Sequence, residues 1–396
     1  MQPFTRRSLI AGAGASAALT LPVLAQRMVD LSLPGGPSVR PMGPRFPQKR
    51  DMIVQRVHPP LLEAPFSVFN QGLLTPNDQH YVRWHWDFPT SIDVERYRVA
   101  VYGAVQSPLT LSLDQVLRAG KHIDYNAVNQ CAGNGRGLFE PRIAGAQWGP
   151  GAMANAQWRG VRLRDVLDKA GVQAGARFVR FKGLDRPPVE GAPQFIKSIP
   201  IDVARRDDTI IAFAMNGTAL PLLNGFPLRI VVPGWYSTYW VKMLSDIEVL
   251  TSEDQNFWMA KAYRMPVAPV KPGDKGFATK PISTMVPRAW ITSHADGARI
   301  PKSVSGIAMG GDAGVAKVEL IVQDGDGHII EAQLDAEDGK YGFRRWSANL
   351  PPELYADSRI GPRCTNANGV TQPLAHSWNP SGYARDGVEF ITMKIA

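Results

Sequence analysis

The stretch Asn129-Gln-Cys-Ala-Gly-Asn-Gly-Arg136 places a thiol on a glycine-rich segment that ends in a guanidinium group. Glycine permits a compact backbone path, and a cation beside a thiol favours its thiolate, which is a nucleophile or a metal ligand. From these residues alone, three other interpretations stay open. Cys131 can be a packed apolar residue, the partner of Cys364 in a disulfide, or the nucleophile of a hydrolase that uses His85 or His122.

The composition of the whole chain excludes several classes of protein. Of 396 residues, 44 are Lys or Arg, 35 are Asp or Glu and 44% are hydrophobic, as in folded proteins, and the length favours two domains. Cys131 and Cys364 are its only 2 cysteines. They exclude a disulfide framework, a four-thiolate zinc site, a cysteine-ligated iron–sulfur cluster and covalent c-type haem. No basic stripe with interleaved aromatic residues predicts a nucleic-acid or membrane-surface partner.

Residues 1–25 are typical of a twin-arginine export signal. Thr5-Arg-Arg-Ser-Leu-Ile10 precedes a mildly apolar run rich in Ala and Gly that ends at Ala25. The run is too short for a confident membrane span, so we expect none after cleavage. Because this route exports folded proteins, which usually hold cofactors, the segment predicts a periplasmic protein with a bound cofactor.

Residue patterning predicts an α+β fold followed by a β-sandwich. Residues 26–77 are rich in proline and predict an extended arm, with regular structure beginning near His80. Residues 78–268 interleave strands and helices, residues 269–287 form a linker, and residues 288–396 contain strands only. The strands are expected over 97–102, 178–182, 209–213, 228–232, 303–309, 316–322, 341–346 and 388–394, and the helices over 112–118 and 161–167.

Six motifs occur in the order typical of one enzyme family. They are Tyr81-Val-Arg-Trp-His85, Cys131-Ala-Gly-Asn-Gly-Arg136, Gly183-Leu-Asp185, Met215-Asn-Gly-Thr-Ala-Leu-Pro221, Gly225-Phe-Pro-Leu-Arg-Ile-Val-Val-Pro-Gly234 and Val241-Lys242. Over residues 60 to 396 the chain resembles the sulfite oxidase family of molybdenum enzymes. The resemblance implies a molybdopterin-binding domain of sulfite oxidase type, then an immunoglobulin-like dimerisation domain that includes Trp378-Asn-Pro-Ser-Gly382.

The resemblance implies a molybdenum–molybdopterin cofactor and no haem in this chain. Cys131 matches the family's metal ligand, and the dithiolene of the cofactor supplies the other sulfur donors. The residues implied to bind the pterin and its phosphate are Tyr81, Val82, Arg83, Trp84, His85, Asp185, Asn224, Arg229, Trp240, Val241 and Lys242. Asn224 stands where vertebrate members have histidine.

The implied catalytic set joins Cys131 to residues suited to a small anion: Arg83, Arg136, Trp148 and Tyr263. Fixed positive charge is needed to bring an anionic substrate to anionic metal ligands. The chain departs from the vertebrate pattern at Ser381, where an arginine reaches the anion from the C-terminal domain. Arg385 is a candidate to replace that arginine.

The resemblance therefore implies periplasmic oxidation of sulfite, with electrons passing to a separate c-type cytochrome. It also implies a homodimer or a complex with a cytochrome subunit. Two alternatives stay open: a sulfane-sulfur dehydrogenase subunit of a thiosulfate-oxidising system, and a cofactor-free periplasmic binding module. Cys364 has no predicted role.

Overall fold

The computed structural model describes residues 27–43, 46–323, 327–351, 354 and 358–394. The predicted export signal, residues 1–25, lies outside the described residues. None of the helices that the described residues form is both long and apolar enough to cross a membrane.

The N-terminal part of the chain forms an antiparallel sheet. Its strands, in sheet order, are β1 (Arg27–Asp30), β2 (Val39–Gly43), β3 (Met52–Arg56), β4 (Leu61–Glu63) and β5 (Val82–Arg83). The prediction that regular structure begins near His80 is wrong. Strands of three to five residues between prolines are too short to show a hydrophobic period, yet Met52 and Leu62 are fully buried in the main core. Pairing between distant segments, rather than local propensity, orders this region.

The central region carries two further sheets that surround the main core. Its strands are β6 (Arg98–Gly103), β7 (Leu109–Ser112), β8 (His122–Gln130), β9 (Met153–Arg162), β10 (Phe178–Gly183), β11 (Ile196–Pro200), β12 (Ile210–Met215), β13 (Thr218–Ala219), β14 (Arg229–Val231) and β15 (Leu244–Leu250). One sheet has the order β11-β10-β15-β6-β7, and the other has the order β13-β12-β9-β8 with β14 paired to β12.

The helices of the described residues are short and flank these sheets. They are α1 (Leu113–Leu117), α2 (Leu163–Ala170), α3 (Ile201–Ala204) and α4 (Phe257–Ala260). Ser112 caps α1 through a capping box with Gln115, which confirms the helix predicted there. The helix predicted over 161–167 begins only at Leu163. Val161 and Arg162 are strand residues, because both pair with β12 across the sheet.

The C-terminal region is a β-sandwich, as predicted. Its strands, with those of the preceding hairpin, are β16 (Arg264–Pro266), β17 (Thr279–Pro281), β18 (Arg288–Ile291), β19 (Ser303–Met309), β20 (Val315–Gln323), β21 (His328–Glu331), β22 (Gln333–Leu334), β23 (Arg344–Asn349), β24 (Arg359–Asn366) and β25 (Ile391–Thr392). Sheets β18-β19-β23-β22 and β21-β20-β24-β25 enclose a second core, and the described residues from 288 to 394 contain no helix. The strand predicted over 388–394 shortens to β25, and the β16-β17 hairpin reaches into the predicted linker.

Candidate active site

An inner cavity of about 490 Å³ lies beside β5 and the segment that follows β8. Cys131 lies one residue beyond β8, where its N–H still donates to the carbonyl of Ala152 at 2.9 Å. Its thiol side chain is only 7% exposed. The end of strand pairing frees the next residues for the glycine turn and leaves Cys131 on the wall of the cavity.

Cationic and hydrogen-bond-donating groups dominate the polar lining of the inner cavity. Arg83, Arg229 and Lys242 line it, and its described lining includes no Asp or Glu. Four buried donors on this wall have no hydrogen-bond partner among the described residues: Arg83 Nη1, Asn129 Nδ2, Arg229 Nε and Thr238 Oγ1. Since buried donors are normally paired, these atoms indicate a ligand rich in acceptor oxygens and negative charge.

Arg229 and Lys242 are neighbours across a β-bridge. Arg229 donates to the carbonyls of Asn224 and Trp240 at 2.9 and 3.1 Å, which fixes the guanidinium while its Nε stays unpaired. Burial and the nearby Arg229 charge lower the pKa of Lys242 to about 7. An anion bound between these two cations relieves their repulsion and restores the charged form of Lys242.

An outer cavity of about 910 Å³ meets the inner one at Arg83, Cys131 and Tyr263. Arg136 and Trp148 line this outer cavity only, as does Arg56 from the end of β3. Its described lining includes no carboxylate. One thiol therefore faces both an acceptor-binding cavity and a cavity with three arginines, which suits a small anion that reacts beside a bound cofactor.

Arg136 is held in a cradle of glycines from separate segments. A Cβ at Gly133 or Gly382 would lie 2.7 Å from an Arg136 side-chain atom, and one at Gly145 would lie 2.9 Å away. Gly382 also has φ of +58°, which disfavours other residues. Arg136 Nε donates to the carbonyl of Ser381 at 3.0 Å. The segment around Ser381 thus reaches the site and positions Arg136 through its backbone.

Tyr263 and His85 share a hydrogen bond of 2.6 Å between the phenol oxygen and Nε2. Burial, with Arg83 and Lys242 close by, holds the pKa of His85 well below its ordinary value. Burial also raises the pKa of Tyr263. Both groups are therefore neutral at pH 7. Tyr263 has φ of +54°, a left-handed backbone that is uncommon outside glycine and clusters at functional sites.

The other predicted cofactor residues divide between the cavity wall and the layer behind it. Tyr81, Val82, His85, Asn224 and Trp240 line the inner cavity, whereas Trp84, Asp185 and Val241 do not.

Trp84 lies beneath Lys242, whose Nζ is 4.3 Å from the indole centroid. Asp185 is also buried, and burial raises its pKa to about 6. The Asn224 amide oxygen accepts a hydrogen bond from Lys49 Nζ at 2.7 Å. Its amide nitrogen lies 3.2 Å from both His80 Nδ1 and the Tyr81 carbonyl. The Asn224 amide orients this wall.

Sequence reasoning missed several lining residues. Ser237 and Thr238 line the inner cavity, and Arg56 and Tyr383 line the outer one. Ser237 and Thr238 lie between two of the motifs, so their position and their hydroxyls could have identified them as lining residues. Arg56 carried none, because it belongs to the segment predicted to be an arm. Only the structure identifies Tyr383 as a lining residue, because its ring stacks on that of Tyr263 with 5.2 Å between the ring centroids.

Arg385 does not replace the vertebrate arginine. Its Nε and Nη2 donate to Glu389 at 2.8 and 3.1 Å, and its Nη1 donates to the Leu138 carbonyl at 2.9 Å. Glu389 neutralises this guanidinium, and Arg385 is not part of the described lining of the outer cavity.

The disulfide interpretation of Cys131 is also wrong, because both cysteines are free and lie in different apolar clusters. His85 is bonded to Tyr263, and His122 Nε2 lies 2.6 Å from the Leu117 carbonyl. Neither histidine is therefore available to serve the Cys131 thiol as a base.

Comparison with known proteins decides which ligand this geometry serves. Residues 85–258 match the family model described as the oxidoreductase molybdopterin binding domain. Sulfite oxidase of Arabidopsis thaliana is 31% identical over 326 residues, which are 78% of this chain and 82% of that protein. The chain belongs to the sulfite oxidase family.

Other members of the sulfite oxidase family are longer than this chain. The mitochondrial sulfite oxidase of Drosophila melanogaster is 31% identical over 84% of this chain, a match that spans 61% of the fly protein. The sulfane dehydrogenase SoxCD of Paracoccus pantotrophus superposes with a TM-score of 0.70 at 23% identity, over 85% of this chain and 87% of that one. This likeness confirms the fold.

This sulfite oxidase family member is a molybdopterin oxidoreductase, and its cofactor is molybdenum–molybdopterin. The inner cavity fits that group, because its unpaired donors match the many acceptors of a pterin and its cations match a phosphate dianion. Cys131 lies on the same wall, and its thiol is a soft donor of the kind that suits molybdenum. The alternative of a cofactor-free binding module is therefore wrong.

Proposed function

We propose that this oxidoreductase oxidises sulfite to sulfate. The observation that carries the proposal is the meeting of two cavities at one thiol, with Arg83 shared between them and Arg56 and Arg136 on the outer side. Sulfite and water give sulfate, two protons and two electrons. When bound, molybdenum–molybdopterin supplies the oxygen-transfer and electron chemistry, and the protein supplies binding, orientation and proton handling.

The residues divide this work by position. Cys131 would hold the metal, while Ser237, Thr238, Arg229 and Lys242 would hold the phosphate end of the cofactor. Arg136 and Arg83 would hold the anion in the outer cavity, against the buried wall formed by Trp148. Their charges offset the repulsion between a dianion and the anionic ligands around the metal.

Tyr263 and His85 are suited to handle the protons of the reaction. Their neutral groups share one hydrogen bond at the junction of the cavities, where the imidazole can take up a proton and the phenol can release one. Lys197 Nζ lies 5.2 Å from the Tyr263 ring and favours negative charge on the phenol oxygen.

The cellular setting is part of the proposal. The twin-arginine segment supports folded export to the periplasm, and an external c-type cytochrome would take the electrons one at a time. The two free cysteines lie in different apolar clusters, so they do not pair in an oxidising compartment. A variant with Arg6→Lys and Arg7→Lys should stay in the cytoplasm, whereas correct fractionation to the periplasm would contradict the proposed route.

Carrier-bound sulfane sulfur is the competing substrate. An outer cavity of about 910 Å³ is far larger than sulfite, and this width keeps the alternative open. Protein purified from a molybdopterin-competent host should contain molybdenum and should reduce cytochrome c with free sulfite. Faster turnover of a carrier-bound sulfur substrate than of free sulfite would show that sulfane sulfur, and not sulfite, is the substrate. Absence of sulfite-dependent reduction in molybdenum-loaded protein would refute the proposal.

A further inference from the structure

A second basic region lies outside the site described above. A groove of about 850 Å³ shares the lining residues Ala144 and Gly145 with the outer cavity, so the two spaces adjoin. We define the basic groove by its cations Arg40 and Arg142, which line it together with Pro37. Arg40 comes from β2 in the N-terminal sheet, and Arg142 precedes the segment that carries Trp148.

Neutral acceptors hold both guanidinium groups in place. Arg40 Nη2 and Arg142 Nη2 donate to the same Pro37 carbonyl, at 3.2 and 2.8 Å. Arg40 Nε donates to the Gln55 amide oxygen at 3.1 Å, and Arg142 Nε donates to that of Gln147 at 2.8 Å. Among the described residues, the hydrogen bonds of both guanidinium groups go to carbonyl and amide oxygens, and none goes to a carboxylate.

One nitrogen of this pair has no acceptor. Arg142 Nη1 is a buried atom without a hydrogen-bond partner in the described chain. A Cβ at Gly36 would lie 1.9 Å from this nitrogen, so glycine at position 36 provides the space that Arg142 occupies. The backbone at Gly36 therefore leaves room for the Arg142 guanidinium, which lies beside the outer cavity with one nitrogen unpaired.

Two like charges that meet at one carbonyl repel each other. Burial lowers the pKa of Arg40, and the charge of Arg142 lowers it further. The nearest acid that acts on Arg40 is Glu63, whose pKa burial raises to about 7. An anion between the two guanidinium groups removes this repulsion and supplies the missing acceptor.

We propose that Arg40 and Arg142 form an outer anion site, at which a small oxyanion binds before it moves past Arg56 towards Arg136. Arg56 is suited to this intermediate position, because Pro59 and Trp84 carbonyls anchor its guanidinium at the outer cavity. The site joins Arg40 of the N-terminal sheet to Arg142, and it compensates for the arginine missing at Ser381 by binding the anion before it reaches Arg136. Identification of that oxyanion as sulfite rests on the proposed function.

Sulfate titration of the molybdenum-loaded protein by calorimetry tests this site directly. The test variant carries Arg40→Gln and Arg142→Gln. The matched control is Arg98→Gln, since Arg98 is also held by main-chain carbonyls, those of Glu95 and Tyr97. Wild type and control should bind two sulfate ions per chain, and the double variant should bind one. Arg142→Lys, which keeps the charge, should retain both.

Kinetics provide the second measurement. At low ionic strength, the double variant should lose about fivefold in kcat/KM for sulfite with kcat unchanged, and its rate should become less sensitive to salt. Unchanged sulfate stoichiometry in the double variant would overturn the outer site. If no variant oxidises sulfite but the second sulfate is still lost, the outer site stands and the proposed function fails.

Discussion

Cys131 and Cys364 are both buried, 7% and 0% exposed, but they lie in regions of opposite character. Cys364 belongs to β24 and packs in the sandwich core with neighbours such as Val318 and Ile360. Burial there raises its pKa to about 12, which keeps a neutral thiol. Cys131 lies where two cavities meet, with Arg83 on the shared wall.

The difference shows that burial alone does not assign a role to a cysteine. Cys364 sits inside a paired strand, and its N–H donates to the Gln372 side chain at 3.2 Å. Cys131 sits just past the end of β8, where a glycine turn opens space and cations join its apolar neighbours on the cavity wall. The end of strand pairing therefore places the Cys131 side chain on a cavity wall, whereas continued pairing keeps Cys364 inside the sandwich core.

The sharpest test of this comparison is Cys131→Ser. Loss of the thiolate should reduce turnover at least about 10³-fold, which corresponds to about 4 kcal/mol of activation free energy. The measurements are sulfite-dependent cytochrome reduction and the molybdenum content by mass spectrometry. Cys364→Ser is the matched control and should keep both. Wild-type turnover in the Cys131 variant would remove the distinction between the two thiols.

A second test acts on an ion-pair cluster inside the C-terminal region, which contains Cys364. Glu389 pairs with Arg288 at 2.7 Å, with Arg385 at 2.8 Å and with His376 at 3.4 Å, and Arg288 is 2% exposed. Glu389→Gln should lower the free energy of unfolding by about 3 kcal/mol, because it leaves buried Arg288 without its counter-charge. Urea unfolding measures this loss.

The same contact has a defined pH dependence. Burial alone would raise the pKa of Glu389, but the His376 hydrogen bond and the charges of Arg288 and Arg385 hold it well below the usual range. The stabilisation is therefore complete above the ordinary glutamate pKa of about 4.3 and is lost as the pH falls further. Glu389→Gln should flatten this acid limb, and an unchanged acid limb would contradict the assignment.

Arg136→Gln tests the cationic side of Cys131. The change should raise KM for sulfite by about 30-fold, or about 2 kcal/mol, because the outer cavity loses a fixed charge. Steady-state kinetics over a range of sulfite concentrations measure it. Arg136→Lys retains the charge and should recover part of the loss. An unchanged KM in Arg136→Gln would mean that Arg136 only supports the glycine cradle.

The smallest expected effect belongs to Cys364. Cys364→Ser places a hydroxyl in an apolar core and should lower the free energy of unfolding by about 1–2 kcal/mol. Thermal unfolding measures that loss, and turnover should not change. Reduced turnover at wild-type stability would show that the sandwich core influences the active site.

Motif order in the sequence predicted the molybdopterin fold, the cofactor and most of the inner wall. Residues such as Arg229 and Lys242 lie close to one another in the chain and bridge directly, so local sequence already brings them together. A local motif is therefore enough to predict that these two cations lie together on one wall.

Other features depended on contacts between distant segments. The N-terminal sheet was predicted as an arm, so Arg56 and the groove cations Arg40 and Arg142 were overlooked. Arg385 was considered for the anion site, but its side chain meets Glu389 instead. Side-chain direction in each case follows from long-range pairing, which no local pattern encodes.

The sequence by itself determined the chemistry: a lone thiolate motif, the cations of the inner cavity and a resemblance that implies molybdenum–molybdopterin. Only the tertiary structure decided which charges remain unpaired. Glu389 neutralises Arg385, while Arg136 and Arg142 meet neutral carbonyls and stay available to anions. The physical reason is that a charged side chain is free to bind an ionic ligand only when the fold places no counter-charge beside it. The sequence alone does not show which charges lie side by side.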